Sequence, residues 1–203
     1  MQHYQHTTDI LIVGAGMAGL TAASELQQSG HDVLVIDKGR GVGGRLASRR
    51  IGLATFDHGA QFMTARNPRF AAAIEEWLKT GVIEEWYRTS AEGSAGHPRW
   101  RGNPTMTAVA KYLARNLNLL LEKRIVSLRR DPAGWVAALD SGEAVFARAV
   151  VLTPPIPQSI ALLDFGELSL PPAMRARKRN TQSQDCSSIW RTGFSANLAS
   201  LVP

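Results

Sequence analysis

Short apolar runs alternate with a helical pattern along the first part of the chain. Ile10 to Val13 form an uninterrupted apolar run of the kind that a buried parallel strand needs. Thr21 to Gln28 is rich in Ala and Leu and predicts a helix, which Gly30 ends. His31 to Ile36 then forms a second apolar run. The order strand, helix, strand predicts an α/β domain built on a parallel sheet.

Three glycines in the pattern G-x-G-x-x-G lie between the first strand and the helix. Gly14 permits a tight turn, Gly16 lets the backbone approach a pyrophosphate, and Gly19 lets the helix pack on the strand. Asp37 ends the second strand, 21 residues after Gly16, where its carboxylate can bind ribose hydroxyls and argues against NADP. A Rossmann-type dinucleotide-binding unit is therefore predicted, with a chance glycine cluster as the alternative. The predicted cofactor contacts in this unit are Gly14, Gly16, Met17, Ala18, Gly19, Asp37 and Lys38.

A second glycine-rich loop, Lys38 to Arg45, follows the second strand and contains four glycines and two arginines. Backbone amides and guanidinium groups in such a loop can surround phosphate oxygens, although a flexible basic loop is the alternative. A nicotinamide-dependent dehydrogenase does not need this loop. It resembles the G-G-R loop of the flavin amine oxidase superfamily, which contacts FAD. That resemblance implies that Gly43, Gly44 and Arg45 lie on the phosphate side of FAD.

A third motif reads Phe56-Asp57-His58-Gly59-Ala60-Gln61-Phe62. Together with the two glycine loops it resembles the renalase-like FAD-dependent oxidoreductases, a branch of that superfamily. The resemblance implies that Gly59, Ala60 and Gln61 pass near the isoalloxazine ring. Asp57 and His58 either bind a cofactor or stabilise a turn, and their spacing alone favours the turn.

Later patterns predict three further helices and a set of strands. The predicted helices cover 68–80 and 105–116, with a third that begins at Ile160, and the predicted strands cover 82–87, 119–128, 134–140, 144–147 and 149–152. The apolar face of the first helix contains Phe70, Ile74, Trp77 and Leu78. Trp77, Trp86 and Trp100 either line a flat substrate cavity or pack in the core, and packing is favoured. In the superfamily a backbone amide of the strand matching 119–128 meets the adenine, which implies Ile125 or Val126.

Composition excludes several classes of protein. Apolar residues make up 44% of the 203 residues, and no run is long enough to cross a membrane. The single cysteine, Cys186, and the absence of a leader pattern predict a cytoplasmic protein. The histidines lack ligand-like spacing, so no metal site is expected. Most of the net charge of +6 lies in the segment that begins with Arg175, which argues against nucleic acid as a partner.

The resemblance covers Asp9 to Arg175 and implies four segments. Residues 1–62 and 105–157 would form the FAD-binding domain, 63–104 part of a substrate domain, and 158–203 its beginning followed by an unrelated, poorly ordered tail. The fold class is thus α/β, a Rossmann-type FAD/NAD(P)-binding domain with an incomplete second domain. Because family members are longer, the chain is interpreted as a truncated or frame-shifted product that retains FAD weakly.

Three functions follow from these patterns. The first is an FAD-dependent oxidoreductase that moves a hydride from a small substrate, a dihydronicotinamide or an amine, to flavin, with dioxygen as the acceptor. No catalytic residue is assigned, because flavin carries the redox step. The second is a non-catalytic nucleotide-binding fragment of such an enzyme. The third is a nicotinamide-dependent dehydrogenase, which the second glycine loop argues against.

Overall fold

A computed structural model describes residues 4–89 and 96–165 of the chain. The strands are β1 (His6–Val13), β2 (Val33–Ile36), β3 (Ser48–Ile51), β4 (Ala54–Asp57), β5 (Ile83–Thr89), β6 (His97–Gly102), β7 (Asn118–Leu120), β8 (Ile125–Asp131), β9 (Gly134–Leu139) and β10 (Ala144–Leu152). The helices are α1 (Met17–Gln28), α2 (Pro68–Lys79), α3 (Thr107–Ala114) and α4 (Ile156–Phe165), and Gly44–Leu46 forms a 3₁₀ turn. The tail after Arg175, including Cys186, lies outside the described residues.

A six-stranded sheet in the order β7-β2-β1-β10-β9-β8 forms the centre of the described structure. The strands β7, β2, β1 and β10 run parallel, and β9 and β8 add to β10 as an antiparallel meander. Strands from both early and late parts of the chain therefore share one sheet. Two hairpins, β3–β4 and β5–β6, form separate two-stranded sheets.

The core lies on both faces of the parallel strands, as an α/β sheet requires. All four residues of β2 are buried, and so are the last three residues of β1. On one face α1 and α3 pack with Trp77 and Ile74 of α2, and on the other Leu128 and Val145 join the core. Because the sheet is covered on both sides, its central strands read as continuous apolar runs.

Three element predictions were wrong in detail. The strand predicted over 119–128 is two strands, because the chain turns at Glu122, which has a φ of +57°. The strands predicted over 144–147 and 149–152 are a single strand, β10, which pairs with β9 on one edge and β1 on the other. Helix α3 is shorter at both ends than predicted, and Leu78 of α2 is exposed rather than packed.

The three tryptophans lie in different environments. Trp77 is 4% exposed and packs edge-on against Phe70, at 6.0 Å between ring centroids. Trp100 is half-buried against the same core, whereas Trp86 is 45% exposed. Packing thus accounts for Trp77 and Trp100. Across residues 4–89 and 96–165, no helix has both the length and the apolar character that crossing a bilayer would take.

Candidate nucleotide-binding site

The turn from β1 into α1 closes so tightly that two of its glycines cannot carry a side chain. Gly14 has a φ of +105°, and a Cβ there would lie 2.6 Å from Thr153 Oγ1. A Cβ on Gly19 would lie 1.9 Å from the Gly14 carbonyl oxygen. The Thr153 hydroxyl donates to the Val13 carbonyl at 2.8 Å and so fixes the turn from the neighbouring strand β10. These contacts match the turn and packing roles that the glycine spacing predicts.

Gly16 differs from its two neighbours because a Cβ placed on it would meet no atom within 4 Å. It is the N-cap of α1, and its first helical turn has neither a side-chain cap nor an acidic residue. The first N–H groups of a helix lack intrahelical acceptors, and that end of the helix is electropositive. The geometry therefore suits an anionic group that approaches Gly16, with half-buried Met17 and exposed Ala18 next to it.

The second glycine loop lies against the first, backbone to backbone. Gly43 N–H donates to the Ala15 carbonyl at 2.8 Å, and Gly16 and Gly43 form a parallel bridge. Gly43 and Gly44 have φ values of +128° and +53°, and a Cβ on Gly44 would lie 3.3 Å from Gly16 Cα. The exposed Arg45 side chain follows directly. The two loops, 28 residues apart from Ala15 to Gly43 in the sequence, thus form one surface.

Asp37 joins the two loops through its carboxylate. Its Oδ2 accepts from Ala15 N–H at 2.7 Å, and its Oδ1 accepts from Gly39 N–H at 2.6 Å. A carboxylate has about four lone-pair sites, so ribose hydroxyls could still donate to it. The predicted ribose role stays a prediction. Lys38, the next residue, donates from Nζ to Gln158 Oε1 of α4 at 3.0 Å.

The third motif reaches the site through Arg45. Ala60 N–H donates to the Arg45 carbonyl at 2.8 Å, and a Cβ on Gly59 would lie 2.1 Å from that same oxygen. Glycine is therefore required at position 59 for a backbone contact. Gln61, which follows Ala60, is exposed. The structure brings the three sequence motifs into one continuous region. Contact of residues 59–61 with a flavin ring stays a prediction.

Val126 lies apart from this region. It is in the edge strand β8, and β9 and β10 separate that strand from β1. The pairing of β8 with β9 shifts between Ile125 and Ser127, and the Val126 side chain is 40% exposed. Its predicted contact with adenine stays a prediction.

Three side chains that hold the site were missed by the sequence interpretation: Ser48, Thr107 and Thr153. A signal existed for Thr153, because it follows a predicted parallel strand. The carboxyl ends of neighbouring parallel strands meet at one edge of the sheet, which places Thr153 beside Gly14. Ser48 and Thr107 gave no such signal, since their contact joins a hairpin to a helix 59 residues away.

Known proteins share the fold described above. Residues 12–77 match the model of the NAD(P)-binding Rossmann-like domain. The described sheet has the parallel strands, glycine turn and acidic strand end of that domain. The chain has a Rossmann-like dinucleotide-binding fold. Its structure is similar to that of putrescine oxidase (the A394C mutant), with a TM-score of 0.67 at 17% identity over 86% of this chain and 63% of the other.

Sequence relatives match stretches of different length in this chain. The Mycobacterium tuberculosis (strain CDC 1551 / Oshkosh) protein named "Putative flavin-containing monoamine oxidase AofH" is 46% identical over 57 residues, 28% of this chain and 13% of its own length. The flavin-dependent L-tryptophan oxidase RebO of Lentzea aerocolonigenes is 28% identical over 143 residues, 67% of this chain and 29% of its own.

These similarities support the resemblance at the level of the FAD-dependent amine oxidase superfamily, and the relatives named as flavin proteins agree with FAD as the predicted cofactor. The chain spans less than two thirds of the length of each of these proteins.

Proposed function

We propose that this chain binds FAD and supplies the nucleotide-binding part of an FAD-dependent oxidoreductase of the renalase-like kind. The pyrophosphate would lie over Gly16 and the start of α1, with Gly43 to Arg45 on its other side. Ribose hydroxyls would donate to Asp37. The observation that carries this proposal is the open backbone at Gly16, where an added Cβ meets nothing although Gly14 and Gly19 on either side are closely packed.

FAD, when bound, supplies the acceptor for a hydride from a small substrate, for which we propose a dihydronicotinamide or an amine, with dioxygen as the final oxidant. The residues of this chain bind and orient. The α1 N-terminus and Arg45 offset phosphate charge, and the Gly59 to Gln61 segment would lie along the ring system. The contact between Arg45 and Ala60 supports the last assignment, since it joins the phosphate-side loop to that segment. We also propose a cytoplasmic location, in keeping with the single cysteine.

A second candidate is a nucleotide-binding fragment without turnover. The contacts described at the two glycine loops concern the binding of a nucleotide, and none of the described residues is assigned a catalytic role. A nicotinamide-dependent dehydrogenase is less well supported, because it has no use for the second glycine loop that contacts Gly16.

One spectroscopic experiment separates these functions. The purified chain is incubated with excess FAD, freed of unbound flavin, and its visible spectrum is recorded before and after addition of a dihydronicotinamide or an amine without oxygen. Retained flavin absorption that bleaches with substrate and returns on admission of air supports the oxidoreductase. Retained absorption without bleaching supports the binding fragment, and no retained flavin contradicts both.

A further inference from the structure

Asp57, at the end of β4, makes contacts that no nucleotide role explains. Its carboxylate accepts from Ser48 Oγ, the residue paired with it across the hairpin. It also accepts from Met106 N–H at the start of α3, at 3.1 Å to Oδ1 and 3.3 Å to Oδ2. Helix α3 has no cap from its own N-cap side chain. Asp57 therefore provides the acceptor and the negative charge that a helix N-terminus favours, from 49 residues away.

The same cluster reaches the second glycine loop through Thr107. Thr107 Oγ1 accepts from Ser48 N–H at 2.7 Å and lies 3.2 Å from the Leu46 carbonyl, to which it can donate. The two hydroxyl oxygens, Ser48 Oγ and Thr107 Oγ1, are 2.8 Å apart. Ser48, Asp57 and Thr107 are all partly buried, so these bonds are shielded from competing water.

Leu46 connects the hydrogen-bonded cluster of Ser48, Asp57 and Thr107 to the nucleotide site. Its N–H donates to the Gly43 carbonyl at 2.9 Å and so closes the 3₁₀ turn that contains Arg45. Its side chain is buried in the same core cluster as Ala15. Gly43 in turn donates to Ala15 next to Gly16. An unbroken series of contacts thus runs from the Asp57 carboxylate to the backbone that faces the proposed pyrophosphate.

We propose that Asp57 is a positioning residue that sets the affinity of the site for the nucleotide by fixing the second glycine loop against the first. This inference rests on the proposed function for its effect on FAD, but not for its effect on the loop. Asp57 acts through Ser48 and Thr107, and it does not need to touch the cofactor.

The loop arm of the test uses the protein without FAD. Backbone amide hydrogen exchange is measured for segments 43–47 and 105–107 in the wild type, in Asp57→Ala and in the control Asp131→Ala. Asp131 also accepts one backbone N–H, from Ala133 in its own turn, but lies on β8 away from the loop. We expect exchange in both segments to rise about tenfold in Asp57→Ala, as for loss of one helix cap, and to stay at the wild-type rate in Asp131→Ala. Unchanged exchange in Asp57→Ala would overturn the inference.

Two further variants keep the test decisive if Asp57→Ala does not fold. Asp57→Asn retains an oxygen acceptor in the position of Oδ1 and should restore most of the protection. Thr107→Val keeps the side-chain shape but removes the hydroxyl that reaches Leu46, so exchange should rise in 43–47 and not in 105–107. Equal exchange in Thr107→Val and the wild type would overturn the route through Leu46.

The affinity arm measures the dissociation constant for FAD in the same proteins. Asp57→Ala should bind FAD about tenfold more weakly than the wild type, and Asp57→Asn and Asp131→Ala within about twofold. Equal affinity in Asp57→Ala and the wild type would refute the positioning role even if the loop exchanges faster. A wild type that binds no FAD would instead refute the proposed function, while the exchange data would still test the loop.

Discussion

The substitutions Gly16→Ala and Gly19→Ala should have different effects. The first should weaken nucleotide binding in a folded protein, and the second should destabilise the fold. Gly16 has a φ of −82° and a ψ of 178°, which any residue adopts, and its added Cβ meets no atom. Loss of the glycine N-cap lowers the free energy of unfolding by a few tenths of a kcal/mol to about 1 kcal/mol. Alanine also lowers the conformational entropy of the unfolded chain, which raises the free energy of unfolding by about 0.4–1 kcal/mol. The free energy of unfolding of Gly16→Ala should therefore stay within about 1 kcal/mol of the wild-type value.

Gly19→Ala should behave in the opposite way. Its Cβ would lie 1.9 Å from the Gly14 carbonyl oxygen and 3.1 Å from the Gly14 carbonyl carbon. These are backbone atoms of a turn fixed by Thr153, so the helix itself must move away from the strand. Overpacking of this kind costs about 1–3 kcal/mol, and we expect Gly19→Ala to lie at the upper end.

Gly16→Ala should also lose affinity for FAD. A methyl group on Gly16 keeps the pyrophosphate from the backbone and removes about two charge-assisted hydrogen bonds, each of about 1.5–3 kcal/mol. Affinity for FAD should fall by about 10² to 10⁴-fold in Gly16→Ala, although the protein stays folded. Urea unfolding followed by circular dichroism gives the stability, and quenching of flavin fluorescence gives the affinity. Wild-type affinity in Gly16→Ala, or a loss of stability equal to that of Gly19→Ala, would refute this account of the site.

Three further predictions concern stability. Trp77→Ala should lower the free energy of unfolding by about 3–5 kcal/mol because Trp77 is buried. Trp86 is exposed, so Trp86→Ala should lower it by only about 1 kcal/mol, and urea unfolding measures both. Thr153→Val should cost about 1 kcal/mol, since it removes the hydroxyl that fixes the end of β1, and a cost near zero would speak against that role. The Lys123 ammonium holds the pKa of Glu143 below its ordinary value of 4.5, so the pair stabilises the fold above that pH and the contribution disappears as pH falls through the lowered value. Glu143→Gln should accordingly flatten the loss of stability in acid, and an unaltered acid profile would contradict this assignment.

Local sequence was sufficient for the part of the fold built from neighbouring elements. The glycine spacing, the apolar runs of β1 and β2 and the position of Asp37 all lie within one strand–helix–strand unit. Their geometry is dictated by short-range sterics and by the need to bury both faces of the sheet. Gly59 and Ala60 lie against the Arg45 carbonyl, a contact that the sequence did not predict, and their predicted approach to the flavin ring stays a prediction.

The remainder depends on contacts that no local pattern encodes. β10 is one strand instead of the two predicted ones because it pairs with β1 from Val145 to Leu152, across the predicted break, while β9 pairs with its first four residues only. The contact between Asp57 and Met106 joins a hairpin to the start of a helix 49 residues away, and no local pattern predicts that contact. Leu78 is exposed because it lies at the margin of the apolar stripe of α2, where periodicity alone cannot decide burial.

The central claim is that the surface formed by the two glycine loops holds FAD. Titration of the chain with FAD, followed by quenching of flavin fluorescence and competed with ADP, NAD and NADP, tests it most directly. We expect saturation at one FAD per chain, displacement of FAD by ADP, weaker displacement by NAD, and little by NADP because its 2′-phosphate would meet Asp37. No saturable binding of FAD, or displacement by NADP at the same concentration as by ADP, would contradict the account.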